Sequence, residues 1–278
     1  MSTTPTLYIE GPAFWTSTLP GWEAARAAFR GEGGLADPPA RRPAPQVLAP
    51  AERRRAPDTV ALALEVATAA TAASGRRAAD MPCVFVSAHG DLSINDYMCS
   101  TLATDPGVLS PTRFHNSVHN AAVGYWTIGT GCMAASNSIS AYDHSFAAAL
   151  LEAATQCAAD HEAVLLAGYD ASASGPLAAV TGCTGQLALA LVIAPERTER
   201  TVAAFDWSLA GSDAAAEQAA APRSEAAKTL AQVNPIARAL GLFEALARLD
   251  GRIDPPAPPE VLALPLSPTL SLRLSLRS

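Results

Sequence analysis

Charge is scarce in this chain: Asp, Glu, Lys and Arg together make up 16 % of its 278 residues, against 49 % hydrophobic residues. So apolar a composition excludes a disordered protein, because the chain can bury enough surface to offset the entropy of folding. Basic residues are dispersed, and with a net charge of −7 and a pI near 5.2 nothing concentrates them enough to hold phosphates. This argues against a nucleic-acid binder. The one basic run, Arg53-Arg54-Arg55, reads as a solvated helix start. Long apolar runs are missing too. "AVLLAGY" and "LALALVIA" are far too short to cross a bilayer, so no transmembrane segment is expected. The N-terminal "MSTTPTLYIEGPAFW" lacks the pattern of a targeting leader. The five cysteines are scattered, with no CxxC, which suits a reduced cytoplasmic protein with free buried thiols at Cys83, Cys132, Cys157 and Cys183. No His/Cys cluster has metal-ligand spacing, and neither a metal nor a cofactor is expected.

What is present is an alternation of strands and helices. "TLYIEGPAFW" reads as a strand bent at Gly11-Pro12, and "LPGWEAARAAFRGEGG" as an amphipathic helix closed by glycines. Residues 35–50, rich in Pro and Arg, form a loop. A single helix is expected over residues 51–73, and "PCVFVSA" is a compact apolar strand. "DLSINDYMCSTLATD" is a helix capped by Ser93 or a nearby Asp, and "NSVHNAAVGYWTIGTGC" another, with small residues on one side. "SNSISAY" is a short strand, and "AVLLAGY", "LALALVIA" and "VAAFDWSLA" are further strands. "EAAKTLAQVNPIARALGLFEALARL" is a helix interrupted near Asn234-Pro235. The tail "PPAPPEVLALPLSPTLSLRLSLRS" begins as a linker and ends in an alternating strand with one buried face. No internal repeat is present. The pattern indicates an α/β protein with a mostly parallel, two-sided sheet.

The stretch "SISAYDHSFAAALLEAA" adds a sharper constraint. The helix from Ser145 presents Phe146, Ala147, Ala149, Leu150, Ala153 and Cys157, with Glu152, Thr155 and Gln156 as its polar positions. Such a helix must be enclosed on nearly all sides, as in a layered αβαβα arrangement.

"FHNSVHNAAVGYWTIGTG", "SISAYDHSFAAALLEAA", "EAVLLAGYD" and "GQLALALVIAP", taken together, resemble the N-terminal half of the β-ketoacyl synthases. The resemblance is nearest to the chain-length-factor-like proteins of aryl-polyene pigment pathways. It covers residues 8–195 by element order and is most specific over 110–170. It implies an α/β, thiolase-like layered αβαβα fold, its N-terminal half complete (1–195) and its C-terminal half truncated (196–278). The family motif Asn-Ala-Ala-x-Gly is met by Asn120 and Gly124. Counting without gaps from Asn120, the nucleophilic cysteine of the synthases falls on Asp143, beside His144. The family uses a thiol there because a helix N-terminus lowers its pKa and offers amides to an oxyanion. A carboxylate suits the helix dipole and is expected to cap the first turn, but accepts an acyl chain poorly.

The synthases also need two histidines from their C-terminal half. The five histidines here, His89, His115, His119, His144 and His161, all precede residue 170. Nucleophile and both electrophilic partners are thus missing together. The resemblance then implies a non-catalytic subunit of a type II β-ketoacyl synthase heterodimer, with an active synthase subunit and an acyl carrier protein as partners. The strand Ser136, Asn137, Ser138, Ile139 and Ser140 would be the dimer edge. Tyr97, Met98 and Leu102, with Phe114 and Tyr125, would gate the acyl tunnel by bulk. The alternatives are a malonyl-carrier-protein decarboxylase, a thioester hydrolase, a homodimeric acyl-binding protein, or an interaction module with no pocket. Against a hydrolase, no GxSxG elbow occurs, and adjacent residues such as Ser87, His89 and Asp91 do not generally converge.

Overall fold

The computed structural model describes residues 4–212, 217, 220–251 and 258–278. The apolar runs become strands β1 (Leu7–Trp15), β2 (Cys83–Val86), β3 (Ser136–Ile139), β4 (Val164–Asp170), β5 (Leu187–Ala194), β6 (Thr201–Gly211), β7 (Glu260–Ser267) and β8 (Leu270–Arg277). They form one eight-stranded sheet in the order β3-β2-β4-β5-β1-β6-β8-β7. Only β3, β2 and β4 run parallel; every other neighbouring pair is antiparallel. This corrects the mostly parallel sheet. Unbroken apolar runs report burial of both faces, and β4 and β5 are indeed buried along their whole length, but they carry no information about strand direction.

The main helices are α1 (Trp22–Arg30), α2 (Pro50–Arg55), α3 (Asp58–Ser74), α4 (Leu92–Thr104), α5 (Pro111–His115), α6 (Ala121–Thr130), α7 (Ser145–Asp160), α8 (Gly175–Thr181), α9 (Glu225–Ala231) and α10 (Leu240–Leu249). The single helix expected over 51–73 is two. Pro57 has no N–H and disfavours helical geometry at the residue before it; Ala56 accordingly takes an extended ψ of 133°. Asp91, not Ser93, caps α4, accepting from Ile94 N at 2.9 Å. The bend at Gly11 is real: its φ is +52°, and the β1–β5 register shifts between Glu10 and Ala13.

Two cores share the sheet. On one face Val60, Leu64 and Ala67 of α3 and Trp126 of α6 pack on Phe85, Leu165 and Val192. On the other, α7 supplies Phe146, Leu150 and Cys157 to a core that also holds Val84, Leu166, Leu264, Leu272 and Leu274. Helix α7 touches both outermost strands, β3 and β7, so the sheet must curl around it. Helix α10 lies in the same layer, against β6 and β7. The result is the layered, thiolase-like fold, with helix α7 enclosed as its sequence demands, here by two wings of one curled sheet.

The tail completes that second wing. The terminal strand β8 buries Leu272, Leu274 and Leu276 and exposes Arg273. Its hairpin partner β7 falls where a linker was expected. Pro265 disguised it, but Pro is tolerated at a sheet edge, and the register shifts just there, between Pro265 and Ser267. The linker start at residues 255–257 lies outside the described residues.

Candidate functional site

Strand β3 ends the sheet and runs into a tight turn, Tyr142–His144, that opens directly into α7. Asp143 therefore stands at the mouth of a buried helix, where the partial positive charge of the amide dipoles collects. It does not cap that helix, which corrects the expected role: no side chain caps α7. Asp143 Oδ2 instead meets Arg238 Nη2 at 3.4 Å, a half-exposed ion pair. Ser145 ties the turn together, its Oγ donating to Tyr142 O at 2.6 Å and accepting from Ala141 N at 2.9 Å. His144 Nδ1 lies 3.0 Å from the Pro265 carbonyl, joining the turn to β7.

Beneath the turn is a half-open cavity of about 690 Å³. Phe146 and Ala147 of α7, Asn234 and Arg238 from the segment before α10, and Leu264 of β7 form part of its wall. No cysteine lines it. Four of the five thiols, Cys83, Cys132, Cys157 and Cys183, are buried as expected, and Cys99 is exposed on α4. Burial pushes the Cys83, Cys157 and Cys183 thiols up to about 12, so they stay protonated and are poor nucleophiles. The histidines are dispersed. His119 Nε2 lies 2.9 Å from the Ile139 carbonyl, His115 leans on Tyr125, and His161 closes the far end of α7. Among the described residues no three His, Cys, Asp or Glu side chains converge as metal ligands, and no helix is long and apolar enough to cross a membrane.

On the other side of the turn, the C-terminal ends of β2 and β4 build a polar hub that the sequence did not announce. Asp170, 1 % exposed, accepts from Ser87 Oγ at 2.5 Å and from Ala88 N at 3.2 Å. Burial pushes its carboxyl up to about 7, and the bonds from Ser87, Ala88 and the His89 amide oppose that rise. Asn234 holds the Asp170 carbonyl at 3.2 Å. With its hydroxyl given to Asp170, Ser87 forms no triad with His89 and Asp91. His89 rests edge-on against Tyr142 with ring centroids 5.3 Å apart, and its buried Nε2 has no partner among the described residues. Burial holds its imidazole below the ordinary value, while Asp143 partly opposes this.

The gating candidates lie elsewhere. Tyr97 and Met98 are half-buried on α4, Tyr125 is half-buried on α6, and Leu102 and Phe114 are exposed at 50 % and 58 %. None lines the cavity under Asp143. Tyr97 is held in place, its hydroxyl 2.9 Å from Ser110 N and Arg113 above its ring at 4.0 Å. Asn120 precedes α6, and Gly124 lies within it. The structure thus brings Asp143 and His144 together at one cavity and sets the gating group apart, on the helices that precede β3.

Sequence reasoning missed Arg238, which carries no local signal for a partner 95 residues away. Asp170 was legible in principle: a carboxylate ending a wholly buried strand must be either neutral or bound.

Comparison with known proteins gives a consistent picture. The family model for the β-ketoacyl synthase N-terminal domain matches residues 25–245. Among curated proteins no sequence matches significantly. Among the solved structures that resemble the chain, three match over nearly the whole length of both chains. The ketosynthase ApeO in complex with its chain length factor ApeC, from Xenorhabdus doucetiae, matches with a TM-score of 0.68 and 21 % identity, covering 97 % of this chain and 99 % of the other. The AntDE:AntF complex, a type II polyketide acyl-carrier protein with its ketosynthase, matches at 0.73 and 11 % identity, covering 98 % and 99 %. The ishigamide ketosynthase/chain length factor matches at 0.71 and 15 %, again covering 98 % and 99 %. At these identities the likeness establishes the fold.

Proposed function

Because the chain belongs to the β-ketoacyl synthase N-terminal domain family, we propose that it is the non-catalytic, chain-length-factor-like subunit of a heterodimeric type II synthase. That synthase extends acyl chains on a carrier protein in aryl-polyene or polyketide assembly. The observation that supports this reading is Asp143: at the position where counting without gaps from Asn120 puts a synthase's thiol, this chain holds a carboxylate paired to Arg238, above a cavity that no cysteine lines. The partner subunit supplies the nucleophile and both histidines.

The surface around strand β3 supports the reading. Among the described residues strand β3 pairs only with β2 and leaves its outer edge free, and a free edge calls for a partner strand. Among the described residues, seven of the eleven exposed large hydrophobics (Leu102, Val108, Phe114, Val118, Ile128, Met133 and Tyr142) fall in the segment around that strand. On this reading Tyr97, Met98, Leu102, Phe114 and Tyr125 line a tunnel that exists only in the heterodimer.

The test is condensation followed by mass spectrometry, with the chain incubated with acyl and malonyl carrier proteins, alone and with a synthase subunit. Product should form only with the synthase, and its length distribution should depend on this chain. Condensation by the chain alone would refute the reading.

A further inference from the structure

Tyr142 is an anomaly. Its φ of +50° is one of two positive values outside glycine among the described residues. The other belongs to His161, which ends α7 in the left-handed conformation common at helix C-termini. In this region the Cβ of a bulky residue crowds the backbone, so an aromatic side chain stays there only when its surroundings impose it. Four contacts do so here. Ser145 bonds the backbone of both Ala141 and Tyr142, Asp143 is tied to Arg238, and His144 to Pro265. The turn is held from both sides, and a glycine would take the same path without strain. What the tyrosine gains is direction. The residue is 53 % exposed and its ring is braced against His89, just past the end of a strand whose outer edge is unpaired among the described residues.

At the other end of that strand stands Met133, 94 % exposed and the most exposed of the large hydrophobics. Strand β3 spans Ser136–Ile139, so its midpoint falls between Asn137 and Ser138. Two such strands pairing antiparallel about that midpoint bring position 133 of one chain opposite position 142 of the other. The two exposed side chains are therefore placed to meet corresponding ends of a partner's edge strand.

We propose that Tyr142 and Met133 are the end anchors with which this chain grips the synthase subunit. Tyr142 enters an apolar recess at the partner's counterpart of position 133. Met133 covers the partner's turn between edge strand and central helix, where a synthase carries its nucleophile. This rests on the subunit reading above. The occupant is a synthase chain of the same fold: the subunit reading makes the partner a synthase, and its matching edge strand meets both anchors at once. A strained, outward aromatic on an interface that excludes water is the kind of side chain that dominates binding.

The test uses the purified chain and a purified ketosynthase subunit from the same organism, with affinity read by calorimetry and the isolated chain's stability by thermal melting. Tyr142→Gly should melt no lower than the unsubstituted chain, because it relieves the strained φ, yet bind the synthase at least tenfold more weakly. Met133→Glu, at a site too exposed to matter for folding, should also weaken binding at least tenfold with melting unchanged. Leu209→Glu, on β6, should alter neither. Unchanged affinity in both anchor variants would overturn the proposal and leave the subunit reading standing. Failure of the unsubstituted chain to bind any synthase would overturn both. A homodimer lost in Tyr142→Gly, with no synthase binding, would assign the anchors to a second copy and overturn the occupant proposed.

Discussion

The buried carboxylate of Asp170 makes stability depend on pH in a direction opposite to that of most aspartates. Burial pushes it up to about 7 from an ordinary 3.8. A group whose folded pKa exceeds its unfolded value contributes stability that is fully present below the unfolded pKa and lost as pH rises through the folded one. In the window between 3.8 and 7 the folded chain holds one proton more than the unfolded chain, so stability falls by about 1.4 kcal/mol per pH unit from this group. From pH 5 to pH 7 that is about 2 kcal/mol, the slope flattening as the carboxyl ionises. Asp170→Asn removes the titration and keeps an oxygen for Ser87 Oγ and Ala88 N. The assay is urea unfolding of both proteins at pH 5, 6, 7 and 8, followed by tryptophan fluorescence. Taking the difference between them cancels every other titrating group. The variant should be equal or slightly less stable at pH 5 and gain on the parent by about 2 kcal/mol by pH 7, then level off. A difference that stays flat from pH 5 to pH 8 would show that the three donors keep the carboxylate ionised, and the reasoning would be wrong.

Other substitutions probe the turn and the bulge. Asp143→Ala breaks a half-exposed ion pair and should cost at most about 0.5 kcal/mol in unfolding experiments, leaving the heterodimer's turnover nearly intact; a large loss of turnover with the fold preserved would give Asp143 a role across the interface. Asp143→Cys should create no condensing activity in the isolated chain, measured by the same mass-spectrometric assay, because the two nearby imidazoles are already engaged, His144 with the Pro265 carbonyl and His89 against the Tyr142 ring. Gly11→Ala would place a Cβ 2.3 Å from the Ala70 carbonyl oxygen at a φ of +52°; a loss of about 2 kcal/mol or more, visible as a lower melting temperature, is expected.

Local chemistry made most elements legible, and tertiary pairing hid the rest. Glycine and proline signals marked the β1 bend, the end of α1 at Gly31 and the break at Asn234-Pro235. The near-absence of a polar face on α7 foretold its enclosure. Strand direction escaped, because periodicity records burial and says nothing about which way a neighbour runs. Strand β7 escaped because Pro265 removes a donor that an edge strand does not need. At the turn before α7, Asp143 does not cap the helix as its sequence position suggested. The N-terminus of α7 has Ser145 tying the backbone just ahead of it, so the carboxylate was free to reach Arg238, a partner that only the folded chain brings near.

The position of β1 in the middle of the sheet has a consequence for synthesis. Of the eight strands it is the first to be synthesised, yet both its neighbours, β5 and β6, come from beyond residue 186. Contacts that distant in sequence form slowly, so the nascent chain carries β1 and the apolar faces meant for it unpaired until most of the polypeptide has emerged. Such an intermediate is prone to aggregate. Production together with a binding subunit, or under chaperone protection, should therefore raise soluble yield more than slowing the unfolding of the finished protein would.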